Sequence, residues 1–352
     1  MSTSRIIWID YCKAIAITLV IMLHIAIPNP YRTIIYSFII PIFFLLSGMF
    51  ACPDKYPTSK VFFQQKTLRL LVPYLFFNAV TYIYWCFIAR HQGADAESVI
   101  SLWKPILGAL LGIEAWMEHC KPLWFLPCLM MAEWIFYLLV RLSKGHTFLL
   151  LFTVLITTTI GFVFSKLNLS LPYTIGGALS MILFYYAGYW ARSNNFFQLL
   201  HNYSHRRSLL IWLSISIIAL GICAWLSVQT SESNVFNNTY GNLFYALPAA
   251  VCGSLGIVTL GISLYNILPT SRCLIYIGKH TMTILALHLM VAGWIKGVTY
   301  YLFHLSLNIY DSLWVKVLFA ITIITVCLPL CYAYDWVVKK WKLHKIVSTS
   351  TK

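Results

Sequence analysis

The sequence predicts an all-helical, polytopic membrane protein, and three observations carry that expectation. Hydrophobic residues make up 60% of the 352-residue chain and charged residues only 10%, against roughly 25% charged in a soluble domain. Mean hydropathy is +0.77. The apolar residues are spread over the whole length as separate runs, each close to the roughly 17–25 residues that a bilayer core requires of a helix. A chain of this composition cannot cover its own surface with polar groups. That excludes a soluble enzyme, a secreted disulfide scaffold and a single-anchor receptor.

Taken in order, runs of crossing length occupy residues 6–28, 34–52, 68–90, 122–141, 147–165, 173–192, 208–228, 242–265, 281–302 and 312–338. These are about ten spans, which would return the C-terminus to the side of the N-terminus. The first is not a cleaved signal peptide: it is long, carries Asp10 and Lys13, and has no small-residue cleavage site. Residues 101–113 (SLWKPILGALLGI) are too short to span and read as an interfacial or re-entrant helix. The longest connections are 91–121 and 229–241. No repeat, heptad or low-complexity run is visible, so a single membrane domain over 1–352 with no appended soluble domain is expected.

Basic residues then assign the sides. Arg5, Lys55, Lys60, Lys66, Arg69, Arg141, Lys144, Arg192, Arg206, Arg207, Arg272 and Lys279 fall at one set of connections, joined by Lys339, Lys340, Lys342, Lys345 and Lys352 in the tail. The opposite set holds only Arg32, Arg90, Lys104, Lys121, Lys166, Lys296 and Lys316. Positive residues accumulate on the cytoplasmic side, so both termini are expected inside. The formal charge of +15 is therefore a topology signal. No basic stretch is interleaved with base-stacking aromatics, and nucleic acid is not an expected partner. The ten cysteines show no CxxC pair and no Cys/His metal spacing. Cys86, Cys128, Cys223, Cys252, Cys327 and Cys331 sit in apolar runs, where cysteine behaves as a small hydrophobe. Neither a metal nor a disulfide framework is expected.

Ionisable side chains inside a span cost about 2.5–3.5 kcal/mol on insertion scales and usually face a cavity or a partner. The first span, IIWIDYCKAIAITLVIMLHIAI, holds Asp10, Lys13 and His24. Eleven residues at 100° each bring Lys13 and His24 within about 20° of one face, about 16 Å apart along the axis. Asp10, three residues before Lys13, shares that stripe within ion-pair reach. The arrangement suits an anionic carrier held at one end and proton chemistry at the other. It equally suits Asp10 and a snorkelling Lys13 at the inner interface with His24 capping the outer end, and periodicity alone leaves both open.

Four further stretches stand out. PIFFLLSGMF (41–50) is an aromatic run broken by Ser47-Gly48, which also fits plain helix packing. KTLRLLVPY (66–74) sets Lys66 and Arg69 on one turn before Pro73, which also fits a positive-inside flank. PLWFLPCLMMAEW (122–134) reads as an outer aromatic belt that leaves Glu133 unexplained. IGKHTMTILALH (277–288) offers Thr281 as a helix N-cap and places His288 two turns into a span, where a lone histidine is more often a packing hydrogen bond.

Taken together, these five stretches resemble the acyltransferase-3 family of integral membrane acyltransferases, closest to its branch of sugar O-acetylases of the fucose 4-O-acetylase type. The resemblance runs in family order from Ile9 to about His288. IDYCKAIAITLVIMLH resembles the family's Asp, then a basic residue, then a His after ten intervening residues, and PIFFLLSGMF, RLLVPY, PLWFL and IGKHTMTILALH resemble its later blocks. The resemblance implies acyl-coenzyme A, by default acetyl-CoA, as cytoplasmic donor and a hydroxyl of an exported glycan or glycolipid as acceptor, in a bacterial inner membrane. It implies His24 as the essential histidine, Lys13 as its basic partner, Arg69 as the basic residue before the proline and Ser47 as the serine of the Ser-Gly turn. Many relatives carry Arg at the position of Lys13, where a point charge replaces a bidentate fork. Many also have Phe-His-Met-Pro where this chain has Phe38-Ile39-Ile40-Pro41.

On that reading the nucleotide of the donor docks against Lys13, Arg69 and their neighbours Asp10 and Lys66, and its pantetheine arm threads toward His24. His24 then acts as general base on the acceptor hydroxyl. The residue that holds its tautomer is open between Glu133 and His288, with Glu114 and Glu118 added if the outer loop folds back. The rival class is a transporter or flippase of a polar lipid or glycan, which spans and intramembrane charge fit as well. Paired halves or interrupted helices would favour it, and the sequence shows no such symmetry.

Overall fold

The computed structural model describes residues 6–92, 101–169, 171–194, 196 and 209–350, with side chains as far as 340. Of the basic residues used for topology, Arg5, Arg206, Arg207 and Lys352 and the side chains of Lys342 and Lys345 lie outside the described residues. The described chain is helical without strands, its only β-bridge joining Asn234 and Thr239. The helices are α1 (Ile7–His24), α2 (Tyr31–Gly48), α3 (Ser59–Phe87), α4 (Trp103–Leu111), α5 (Phe125–Ser143) and α6 (Thr147–Lys166). They continue with α7 (Ile175–Ser193), α8 (Leu209–Ser227), α9 (Leu243–Ile267), α10 (Arg272–Lys279), α11 (Thr281–Gly297) and α12 (Leu313–Ser350).

Nine of the described helical segments are long and apolar enough to cross a membrane. α7 is long enough but is not among them: Tyr185, Tyr186, Tyr189, Trp190 and Arg192 lower its hydropathy. The short run at 101–113 forms the nine-residue α4, whose exposed Trp103, Ile106 and Leu110 suit an interface rather than a crossing. α3 starts nine residues earlier than the apolar run does. The Thr58 hydroxyl accepts from the Val61 N–H as its N-cap, so a polar first turn is added before the span proper. Thr281 is not an N-cap: it is the first residue of α11, the cap position is His280, and no side chain caps it.

α1 is the central element. The buried share of its span is 61%, against 17% for α8 and 22% for α6, which form part of the rim. It packs on α2, α9, α10, α11 and α12. The rim helices turn large apolar side chains outward, Phe148 and Phe152 on α6 and Ile217 and Trp225 on α8, as a lipid solvent permits. With hydrocarbon outside, burying Leu against Leu gains little, and close approach of small residues holds helices together. Gly48 of α2 and Gly188 of α7 show this reciprocally. A β-carbon on Gly48 would overlap the Tyr185 carbonyl, and one on Gly188 would overlap the Leu45 carbonyl.

Loop contacts sort the helix termini into two ends. At one end lies Lys13, its ammonium 4.7 Å from the Phe50 ring centre. There Arg192 donates to the Met49 carbonyl at 2.9 Å and Arg141 to the Tyr56 carbonyl at 3.2 Å. Tyr11 bonds the Leu268–Ser271 turn, and His280 pairs with Asp335 at 2.7 Å. At the other end, just past His24, Lys316 donates to the Ala26 carbonyl at 2.8 Å and Arg32 pairs with Glu232 at 3.0 Å.

Candidate active site

α1 packs one buried cluster with α2, α9, α11 and α12, while α3, α5 and α7 build a second, to which α2 and α11 also contribute. A cavity of about 180 Å³ opens along the seam between them. Its α1 wall is Lys13, Ile17, Val20 and His24, the i, i+4, i+7, i+11 stripe of one helix face. The helical period therefore places Lys13 and His24 at two ends of one void. The opposing walls are Ile40, Phe43, Leu46 and Ser47 of α2, Leu70 of α3, Thr281, Met282 and Leu285 of α11, Pro122 and Trp124 just before α5, and Phe125, Leu126 and Leu129 in its first turns. Nearly all of these are apolar.

His24, the last residue of α1, is exposed and lines the cavity. Its Nδ1 stands 2.8 Å from the Val20 carbonyl one turn back. A carbonyl oxygen only accepts, so Nδ1 carries the hydrogen and Nε2 keeps its lone pair. The backbone of α1 is thus what sets the His24 tautomer. The His288 ring lies against it, centroids 4.9 Å apart and tilted by 59°. His288 is 1% exposed and bonds the Leu285 carbonyl through Nδ1 at 2.7 Å.

Glu133 is placed elsewhere. α3 and α5 run antiparallel: Phe62 stacks on Tyr137 at 3.8 Å, Lys66 meets Glu133 at 3.3 Å, and one turn on Leu70 and Leu129 both line the cavity. Arg69 takes the other Glu133 oxygen. The carboxylate so holds the two cations of α3 within one turn of cavity-lining Leu70, at the Lys13 end, and is not the group that orients His24. The Glu133 and Lys66 side chains are 2% and 6% exposed, while Arg69 is 52% exposed and keeps guanidinium donors open. Tyr56 borders this cluster, where burial pushes its phenol up against the opposing charge of Arg69.

Ser47 lines the cavity, whereas its neighbour Gly48 serves the contact with α7, so the Ser-Gly pair does both jobs that the sequence allows it. Asp10 is buried where Gly278 of α10 packs on its backbone carbonyl, and it does not reach the cavity wall.

The segment after α4 is what the sequence hid. Gly112 adopts φ +64°, and the chain folds back so that Met117, Cys120 and Leu123 are at most 1% exposed. PLWFL is therefore cavity wall, not an outer aromatic belt: Pro122, Trp124, Phe125, Leu126 and Leu129 face the void. The two prolines flanking LWFL were the only signal of an interrupted entry into α5. Glu114 and Glu118 do not reach His24. Glu118 pairs with Lys121 at 3.1 Å, and burial raises the Glu114 carboxyl to about 7. His119 is held at Nε2 by Asn78 at 2.9 Å and burial lowers it to about 4.

All ten cysteines are free. Among the described residues no group of three His, Cys, Asp or Glu side chains is arranged to hold a metal. No curated protein and no solved structure matches the chain. A family model described as an acyltransferase domain matches residues 6–336, a stretch that takes in every wall of the cavity. With that match over nearly the whole chain and its apolar helices, the protein belongs to the acyltransferase-3 family of integral membrane acyltransferases.

Proposed function

We propose that this protein is a membrane O-acyltransferase of the sugar O-acetylase type. It moves an acetyl group from cytoplasmic acetyl-CoA to a hydroxyl of an exported glycan or glycolipid, in a bacterial inner membrane. The observation that carries the reading is the single α1 stripe that sets a cation and an unprotonated imidazole nitrogen at opposite ends of one narrow apolar cavity. A donor with an anionic head and a long slender arm fits a Lys13-to-His24 offset of about 16 Å. The Lys13 end, with Lys66 and Arg69 one turn from the cavity, takes the phosphates, and Ser47 lies on the arm's path. Among the described residues lining the cavity the His24 end holds no cation, and Arg32 at that end is taken by Glu232; an unpaired buried charge is costly. That favours acetyl over succinyl.

In the reaction His24 Nε2 accepts the acceptor's hydroxyl proton as the oxygen attacks the thioester carbonyl. The carbon–sulfur bond then breaks, and the coenzyme A thiolate leaves with the proton returned from His24. A general base of this kind contributes about 10²–10⁴-fold.

The reading includes ten crossings with both termini cytoplasmic. α7 starts past the far end of α6, and its C-terminal Arg192 reaches the same Lys13-end loop as Arg141 of α5. That path supports α7 as the tenth crossing despite its tyrosines, and the charge asymmetry supports placing the Lys13 end inside.

The test is release of coenzyme A from acetyl-CoA by purified protein in detergent, with and without a mixed glycan extract. His24→Ala is expected to lose glycan-stimulated turnover by at least about 100-fold while still binding acetyl-CoA, Lys13→Ala to raise the donor KM, and succinyl-CoA to be a poor donor. Folded wild type that neither turns over nor binds acetyl-CoA overturns the reading.

A further inference from the structure

His288 is a fully buried histidine with one nitrogen left over. Its Nδ1 faces two carbonyls of its own helix, Leu285 at 2.7 Å and Ile284 at 3.2 Å, so Nδ1 must carry the hydrogen. Its Nε2 is then a bare acceptor, and it has no hydrogen-bond partner. Such orphans are uncommon, because a buried polar atom left unpaired costs as much as the bond it forgoes. The ring beside it is His24, whose Nδ1 is fixed in the same way to Val20. Two helices thus present two imidazoles in the same tautomer, each with its Nε2 lone pair free.

Two lone pairs cannot bond each other, and that accounts for the orphan in the neutral pair. The relation changes when one ring takes up a proton. Two imidazoles joined by a linear N–H···N bond have centroids about 5 Å apart, from ring dimensions and a donor–acceptor distance near 2.9 Å. The observed centroid separation is 4.9 Å with the rings tilted by 59°, which puts the two rings in range of such a bond though none is formed in the neutral pair.

We propose that His288 is a positioning residue for the reaction: once His24 has taken the acceptor's proton, the His24 Nε2–H is shared in a bifurcated hydrogen bond between the reacting groups and His288 Nε2. The proton is held there until the coenzyme A thiolate removes it. His288 neither gains nor loses a proton over the cycle, and the carbon–oxygen bond formed and carbon–sulfur bond broken are those already described. The benefit is specific to the charged intermediate. Among the described side chains lining the cavity an imidazolium at His24 meets few other acceptors, and a hydrogen bond to a charged group is stronger than one between neutral groups. This inference rests on His24 being the base.

Two isosteric pairs isolate the acceptor. Gln and Met have nearly the same shape, but only the Gln carbonyl accepts a hydrogen bond, and Asn and Leu are related in the same way. His288→Met is expected to lower kcat by about 10- to 100-fold, the worth of one hydrogen bond to a charged group. The acetyl-CoA KM and the unfolding temperature should stay near those of His288→Gln, and the Gln variant should recover most of kcat. If the Met variant does not fold, Asn against Leu is read in the same way. Equal kcat within a pair, or a loss of kcat matched by a rise in donor KM and a fall in unfolding temperature, overturns the proposal. His24→Gln separates the two readings. If it keeps glycan-stimulated turnover, the base assignment fails and this inference with it. If it is inactive while His288→Met turns over like wild type, only the shared proton fails.

Discussion

Glu133 sits on an apolar helix with both oxygens committed, one to Lys66 and one to Arg69. Removing one partner of a buried pair leaves the other charge without compensation, whereas replacing both together is often close to neutral. Lys66→Met or Glu133→Leu alone is therefore expected to destabilise the protein by about 3–5 kcal/mol. The double variant should recover most of that, because half-exposed Arg69 can turn to water. Thermal unfolding of the four proteins in one detergent closes the cycle, and additive losses would show that the charges are not coupled. The residue types were legible in the sequence, since an unexplained carboxylate and two cations stood out of an apolar background. Their meeting was not, because Lys66 and Glu133 belong to helices whose mutual register depends on packing. Lys13 and His24 are the opposite case: one helix carries both, so the 3.6-residue period alone aligned them.

The element that most alters the site is the fold-back from Gly112 to Trp124, and two of its titrating groups, Glu114 and His119, pull stability in opposite directions. Burial raises Glu114 to about 7, so the folded state holds a proton that the unfolded chain has already released above about 4.5. Its contribution falls as pH rises through that window and then levels off. Burial lowers His119 to about 4, so the unfolded chain takes up a proton below about 6.5 that the folded state refuses. Its contribution is lost as pH falls from there toward 4. The slopes offset each other in wild type and separate only in variants. Glu114→Gln is expected to match wild type in unfolding temperature near pH 4.5, gain on it through pH 7 and hold a constant lead above. A lead that is the same at pH 4.5 and pH 8 would contradict the burial of this carboxyl. The short apolar run is visible in the sequence, and the return of the chain is not. Nothing in the local pattern of 112–124 distinguishes a segment tucked against α11 from one lying on the surface, yet Cys120 reaches the Ala286 carbonyl at 3.4 Å.

For the whole molecule, two residues report which end faces the cytoplasm. Cys273 is exposed beside the Tyr11-anchored turn at the Lys13 end, and Lys316 lies at the His24 end. In intact cells a membrane-impermeant maleimide should leave Cys273 unlabelled until the membrane is permeabilised. With Cys273 replaced by Ser, Lys316→Cys should label without permeabilisation. The reverse pattern would invert the topology and put the proposed donor site on the wrong side for the cytoplasmic carrier proposed above. Nine of the described segments are long and apolar enough to cross a membrane, and the tyrosine-rich α7 is not among them. α7 faces α2, α5 and α6 rather than lipid alone, so polar rings on it have partners.

By itself the sequence determined the class of protein, the positions of most helices and the alignment of Lys13 with His24, because each follows from composition or from the period of a single helix. The tertiary structure decided what surrounds that stripe. It assigned the His24 tautomer to the Val20 carbonyl, gave Glu133 to the cations of α3, set His288 against His24, and turned PLWFL from belt into wall. Each of these joins residues on different helices, or depends on where a backbone carbonyl points. Helix-to-helix register is fixed by side-chain and small-residue packing over the whole bundle, a property that no local stretch of sequence contains.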